Sequence, residues 1–279
     1  TSILNGLGLV LIIGSFRKLP EYFVNQGFDS AISGQYTIWC AAVMVLIVST
    51  VLFTNLKKGA PAQVTKKGSY FSTLAIAFKE ARNPRVALAY TAGVVSRGDL
   101  SVVSTFFSLW LFNEAISMDM SRAEAFKLST GFYVMVQAFA IPGAVLINFF
   151  IDKVDRVMAL AISMFIAACG YLYLGFIDDI FSKEMYFGAA LLGLGEIFAN
   201  ISAISLIGSA APAKGRGAVI GGFSFFGAIG ILLVASIGGY LFDNVGPTAP
   251  FTMVGFANLA LLILALLLLF LERRKKIQI

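Results

Sequence analysis

Three ionisable side chains stand inside long apolar runs of this sequence. Arg97 and Asp99 lie in GVVSRGDLSVVS (93–104), and Glu196 lies in LLGLGEIFANI (191–201). A charge inside an apolar span costs about 2.5–3.5 kcal/mol on insertion scales, so such groups face a cavity or a partner. An arginine supplies a fixed positive charge for an anionic group, whereas a carboxylate can bind and release a proton. The three therefore suit ion or proton coupling and recognition of a charged solute. The bland alternative is an Arg97–Glu196 ion pair that only fixes helix packing. The letters RGD do not signal adhesion here, because adhesion needs an exposed loop. The chain has no histidine, which excludes histidine relays, triads and histidine metal sites. Its two cysteines, Cys40 and Cys169, fall in apolar segments and form no ligand spacing. No nucleotide-binding motif occurs, and neither a metal nor a cofactor is expected.

Helical geometry sorts these residues. At about 100° per residue, Arg97 and Asp99 point about 200° apart. The side of Arg97 carries Tyr90, Gly93, Ser101, Ser104 and Ser108, a small and polar stripe facing a cavity. The side of Asp99 carries Ala92, Val95, Val102, Val103 and Phe106, so Asp99 should face another helix and need a hydrogen-bonding partner there. Gly98 could distort the helix locally. Glu196 shares a face with Ala189, Gly193, Asn200 and Ala203. The cavity-lining candidates are Tyr90, Ser101, Ser104, Gln137 and Asn200. Gln137 and Asn258 fit either interhelical hydrogen bonds or cavity groups.

The elements that hold them are membrane spans. The 279 residues are 58% hydrophobic and 13% charged, against about 45–50% and 25% in soluble domains. Seven runs reach the length of about 20 apolar residues that crosses a bilayer. They are 37–54 (span II), 86–112 (III), 129–151 (IV), 157–177 (V), 186–208 (VI), 218–242 (VII) and 251–271 (VIII). A shorter run, 2–16 (I), reads as the remnant of a cut helix, and the chain as a fragment. The fold class is an all-α integral membrane protein. One set of loops and the tail carry 15 of the 21 basic residues: Lys57, Lys58, Lys66, Lys67, Lys79, Arg82, Arg85, Lys153, Arg156, Lys214, Arg216, Arg273, Arg274, Lys275 and Lys276. The opposite loops carry five, Arg17, Lys18, Arg122, Lys127 and Lys183. The positive-inside rule makes the first side cytoplasmic, with the C-terminus. The net charge of +6 thus reports topology, and nucleic acid is not an expected partner.

The longest loop, 55–85, contains SYFSTLAIAFKEARNP, with Phe71, Leu74 and Phe78 at helical spacing. This predicts an amphipathic helix lying on the membrane or against the protein. Asn83-Pro84 predicts a helix start. Pro142 should kink span IV. The glycines of span VII should allow close packing. Trp39 and Trp110 are placed as interface anchors.

Two spans before a long basic loop and six after it resemble the major facilitator superfamily of transporters. NFFIDKVDR resembles the family's cytoplasmic loop motif through Asp152, Lys153 and Arg156, with Asn148 and Asp155 where glycines are usual and Val157 in place of a base. APAKGRGAVIGG resembles the loop before the family's eleventh helix. The resemblance implies that residues 1–54 end an N-terminal bundle, 55–85 form a cytoplasmic linker, and 86–279 form the C-terminal six-helix bundle. It implies four further N-terminal helices, a conformational-switch role for the 152–156 loop, and helices seven and ten lining the cavity with Arg97, Asp99 and Glu196. The expected function is secondary transport of a small solute by alternating access, with protons as the coupling ion, in a plasma or inner membrane. The expected partners are the lipid bilayer, the solute, protons and the missing helices. The competing function classes are a non-transporting receptor or scaffold on the same helices and, behind it, an intramembrane enzyme. An enzyme would need a nucleophile–base or metal constellation above background, which the sequence lacks.

Overall fold

The computed structural model describes residues 16, 18–55, 70–177 and 179–277. These are mostly helical, without strands. The chain forms two compact units, residues 8–69 and, in the main, 70–279. The first contains α1 (Leu19–Asn25) and α2 (Ser30–Asn55). Pro20 starts α1, and Phe23, Phe28 and Tyr36 meet edge to face where the two helices join.

The second unit begins with α3 (Tyr70–Glu80). α4 (Pro84–Ser101) continues through a π-helical segment (Val102–Phe107) into α5 (Ser108–Ser117). Then follow α6 (Arg122–Ile151), α7 (Arg156–Leu174), α8 (Lys183–Ala210), α9 (Arg216–Asn244) and α10 (Ala249–Ile277). Among the described residues, seven helices are long and apolar enough to cross a bilayer, counting α4–π–α5 as one. They coincide with the seven expected spans. The run at 2–15 and the basic pairs Lys57–Lys58 and Lys66–Lys67 lie outside the described residues.

Helix starts follow from local chemistry. Asn83 accepts from the Arg85 N–H at 3.0 Å, with Pro84 in the first turn, as expected. Ser121 and Glu124 form a reciprocal capping box at α6. Asp155 caps α7 and Ser182 caps α8. Before α9 the chain turns through Gly215 at φ +88°, a conformation that suits glycine.

The core is built on close backbone approach. α4 packs on α8, α9 and α10; α7 packs on α8 and α10; and α6 packs on α8. The α9 glycines face α4 and the π segment. Gly222 lies against Tyr90, Gly227 against Arg97, Gly230 against the Val94 carbonyl and Gly238 against Phe106. This is the packing role expected of them, although Gly217, Gly221 and Gly239 face open space.

Some expectations are corrected. α7 stops at Leu174, short of residue 177. Trp110 is not an interface anchor: it is buried against Phe107 and Phe251, whereas Trp39 is 68% exposed. α3 lies against the protein. Ala77 is buried, and Phe78 meets Phe226 of α9 edge to face. Leu74 remains 41% exposed, and the Phe71 side chain is outside the described set. Pro142 sits within the unbroken α6.

A candidate ion-coupling site in the helix bundle

Asp99 is fully buried and turned toward α10. Asn258 Nδ2 donates to both carboxylate oxygens, at 3.1 and 3.3 Å, and to the Val254 carbonyl at 3.0 Å. The interhelical partner that the apolar stripe required is therefore Asn258. Glu196 is 5% exposed on α8, with Gln137 of α6 near it. Asp99 on α4 and Glu196 on α8 stand on helices that pack together. Tyr171 of α7 is fully buried and Tyr133 of α6 half-buried. Five helices thus carry polar side chains into the interior of an apolar bundle.

Local sequence explains how Glu196 reaches this position. A Cβ on Gly193 would collide with the Val136 carbonyl of α6, and one on Gly195 would meet the Ala167 backbone of α7. The GLGE turn therefore wedges between two helices, and Glu196 enters the interior. The bundle interior also has unused hydrogen-bonding capacity. Ser96 Oγ, Tyr171 OH, Glu196 Oε2, Asn200 Oδ1 and Asn258 Oδ1 are buried without a hydrogen-bond partner. Such atoms cost about 1–3 kcal/mol each if nothing satisfies them, and Glu196 Oε2 is an acceptor that can take up a proton or a small donor.

Arg97 stands apart from it. Its side chain lies half-buried along Gly227 of α9. Among the described residues it makes no ion pair, and the Arg97–Glu196 pair considered above is not formed. The reason is geometric: Arg97 faces α9, and Glu196 meets α6 and α7. The 200° divergence of Arg97 and Asp99 is therefore realised. Tyr90 does not line a cavity. It is 3% exposed, its hydroxyl reaches the carbonyls of Ala77 and Val219 at 3.2 and 3.3 Å, and it stacks on Phe226. Ser101 is half-buried and Ser104 exposed, with Ser104 Oγ donating to the Ser101 carbonyl at 3.3 Å. Gln137 and Asn200 belong to the Glu196 neighbourhood.

The 152–156 loop makes a second polar centre. Arg156 pairs with Asp152 at 2.8 Å and donates to the Ile151 carbonyl at 2.6 Å; Lys153 is exposed. Arg85 grips Glu272 of α10 with two bonds, 2.8 and 2.7 Å, and Asp155 at 3.0 Å. Partial burial raises the Asp155 pKa, but the Val157 and Met158 N–H groups and the Arg85 guanidinium outweigh that and hold it below the ordinary aspartate value. Asp155, which departs from the loop motif, thus acts as helix cap and three-helix tie. Tyr171 and the Arg85–Glu272 pair were not foreseen. Arg85 and Glu272 are 187 positions apart, and Tyr171 carries no periodic signal.

Residues 130–279 match the Major Facilitator Superfamily model. The chain is 31% identical over 191 residues to the magnetosome protein MamH of Paramagnetospirillum magneticum (strain ATCC 700264 / AMB-1), covering 68% of this chain and 44% of that protein. It is 26% identical over 237 residues to magnetosome protein MamZ of the same organism, covering 85% and 37%. Against MamZ of Magnetospirillum gryphiswaldense (strain DSM 6361 / JCM 21280 / NBRC 15271 / MSR-1) it is 27% identical over 187 residues, covering 67% and 29%. The chain thus spans less than half the length of the curated relatives it matches. With more than half of its residues matched and, among the described residues, seven helices of membrane-spanning character, this multi-pass membrane chain belongs to the Major Facilitator Superfamily.

Proposed function

We propose that this chain supplies the C-terminal bundle of a secondary transporter that moves a small solute by alternating access, with Glu196 and Asp99 as its proton-binding groups. The observation that carries the proposal is two carboxylates, Asp99 and Glu196, buried on the packed helices α4 and α8, with no lysine or arginine paired to either among the described residues. A buried carboxylate without a basic partner needs its charge compensated, and a bound proton does that. Arg97, without an ion-pair partner among the described residues, supplies a positive charge for an anionic group on the solute. Residues 1–54 end an N-terminal bundle, 55–85 link the halves, and the loops at 55–85, 152–156 and 210–217 face the cytoplasm together with the C-terminus. The membrane is the plasma or inner membrane.

The test uses the whole natural protein in vesicles holding a pH-sensitive dye, challenged with a panel of small anionic, cationic and neutral solutes. Solute-dependent proton movement in the wild type, lost in Glu196→Gln with folded protein retained, is the expected result. Solute accumulation indifferent to the proton gradient would remove the coupling. Absence of flux for every solute class would favour a receptor or scaffold on the same fold.

A further inference from the structure

Asp99 of α4 and Asn258 of α10 are both fully buried. The carboxamide nitrogen of Asn258 carries two N–H groups. It lies 3.0 Å from the Val254 carbonyl and 3.1 and 3.3 Å from the two Asp99 oxygens. A backbone carbonyl can only accept, so the Val254 bond fixes which end of the carboxamide is nitrogen. One N–H serves Val254, and the other is shared by the two carboxylate oxygens. Asn258 Oδ1, on the same carbon as this donor, is buried with no hydrogen-bond partner. Three acceptor oxygens thus belong to the contact with a single N–H between them, and the contact is one donor short. Among the described residues no lysine or arginine pairs with Asp99. Of the helices packed on α4, α8 carries Glu196, α9 has no ionisable side chain between Arg216 and Tyr240, and α10 has none between Ala249 and Leu271. Arg97 of α4 itself lies along α9. Tyr171 of α7, which packs on α8 and α10, is fully buried with an unpartnered hydroxyl.

Given the proton binding proposed for Asp99, we infer that Asn258 is its positioning residue: the O–H formed on Asp99 donates to Asn258 Oδ1, while Nδ2 goes on donating to the other carboxyl oxygen. On protonation one O–H bond forms, the carboxylate charge is cancelled and nothing leaves. The acid then offers one donor and one carbonyl acceptor. That is the complement of a carboxamide with one N–H and one C=O to give, and the two groups close a ring of two hydrogen bonds. The same proton answers both needs of the contact. Oδ1 gains its donor, and the buried carboxylate loses its charge. The ionised state is served by Nδ2 alone and the protonated state by Nδ2 and Oδ1 together, so a carboxamide at position 258 holds Asp99 on both sides of the proton uptake. A leucine there would hold neither state.

The test uses the whole natural protein in lipid nanodiscs, labelled with carbon-13 at the asparagine side-chain carbonyl. Infrared difference spectra are recorded between neutral and acidic pH. The double variant Asp99→Leu/Asn258→Leu identifies, by their loss, the carboxyl and carboxamide bands that belong to this pair. On acidification the Asp99 carboxyl C=O band should appear, and the labelled Asn258 band should move to lower wavenumber as Oδ1 begins to accept. A merely structural Asn258 gives the opposite sign, because protonation weakens the Nδ2 donation and the carboxamide band then stays or rises. In Asn258→Leu the Asp99 carboxyl band should move to higher wavenumber, toward that of an unbonded acid. Should that variant fail to fold, the direction of the wild-type band and the double variant still decide. A labelled band that stays or rises while the Asp99 band appears overturns the ring and leaves proton binding at Asp99 intact. An Asp99 band that never appears overturns both. Ser96 Oγ, one turn before Asp99 on α4, is also buried without a partner. Ser96→Ala should leave both bands in place; a carboxyl band that shifts in Ser96→Ala and not in Asn258→Leu would assign the proton to Ser96 and overturn the inference.

Discussion

Asp99 and Asn258 join two helices 159 positions apart, and the contact is asymmetric in what its loss would do. Asn258→Leu removes the donor and strands a buried carboxylate, at a cost of about 1–3 kcal/mol. Replacing both residues by leucine removes the donor and the acceptor together. Thermal denaturation in detergent should therefore show a lower midpoint for Asn258→Leu than for the Asp99→Leu/Asn258→Leu double. A double that is worse than the single would show that Asp99 is not held by this bond. The two proposed functional charges should also separate by kind. Arg97→Ala leaves no stranded partner among the described residues, so folded yield should hold while uptake of an anionic solute weakens. Glu196→Gln keeps shape and the neighbourhood of Gln137 and removes the titratable proton, so solute binding should survive and proton-driven accumulation fail. Parallel measurements of binding, flux and folded yield check both. Wild-type accumulation in Glu196→Gln would remove that carboxylate from the coupling.

At the scale of elements, α9 distinguishes glycines that pack from glycines that do not. A Cβ at position 230 would run into the Val94 carbonyl, whereas position 239 has nothing within 4 Å. Gly230→Ala should therefore push α4 and α9 apart and lower stability and folded yield. Gly239→Ala should be neutral or stabilising by up to about 1 kcal/mol from helix propensity. If the two variants denature alike, the close approach is not what holds α9. The π segment at Val102–Phe107 belongs to the same interface. It changes register one turn after Asp99, burying Phe106 and Phe107 while Ser104 and Thr105 are exposed. At the other end of the bundle, Asp155 caps α7 and accepts from Arg85. Asp155→Asn keeps a good cap and loses the charge; Asp155→Ala loses both, about 1 kcal/mol more. Because its pKa is depressed in the folded state, this contribution is present above the ordinary aspartate pKa. It is lost as pH falls through the folded value. Wild type and Asp155→Asn should thus differ near neutral pH and converge in acid, as read by thermal midpoints across pH.

At the scale of the molecule, the spans were legible because length and apolarity are one-dimensional properties. The Asn83 and Pro84 signals placed the start of α4 for the same reason. Asp99's need for a partner was legible from the apolar stripe around it, but the identity of that partner was not, since Asn258 lies on the last helix. The exclusion of Glu196 from Arg97's side was equally hidden. It depends on Gly193 and Gly195 letting α8 approach α6 and α7, which no single-helix projection contains. Tyr90 shows the converse failure, where a polar side chain on the expected stripe serves a structural tie to Ala77 and Val219. Topology is the remaining whole-molecule quantity, and it rests on 15 basic residues against five. The α6–α7 and α8–α9 connections, with Lys153 and Lys214, should then face the cytoplasm, and the α5–α6 and α7–α8 connections, with Asp119 and Asp179, the opposite side. Each position would be made a single cysteine after Cys40 and Cys169 are replaced by alanine, and intact cells treated with a membrane-impermeant maleimide. Labelling is expected at 119 and 179 and not at 153 or 214 until the membrane is opened with detergent. Because successive connections alternate sides, the four sites must divide two and two. The reverse division would invert the orientation while leaving the bundle intact, and it would put the Arg85–Asp155–Glu272 tie at the outer face.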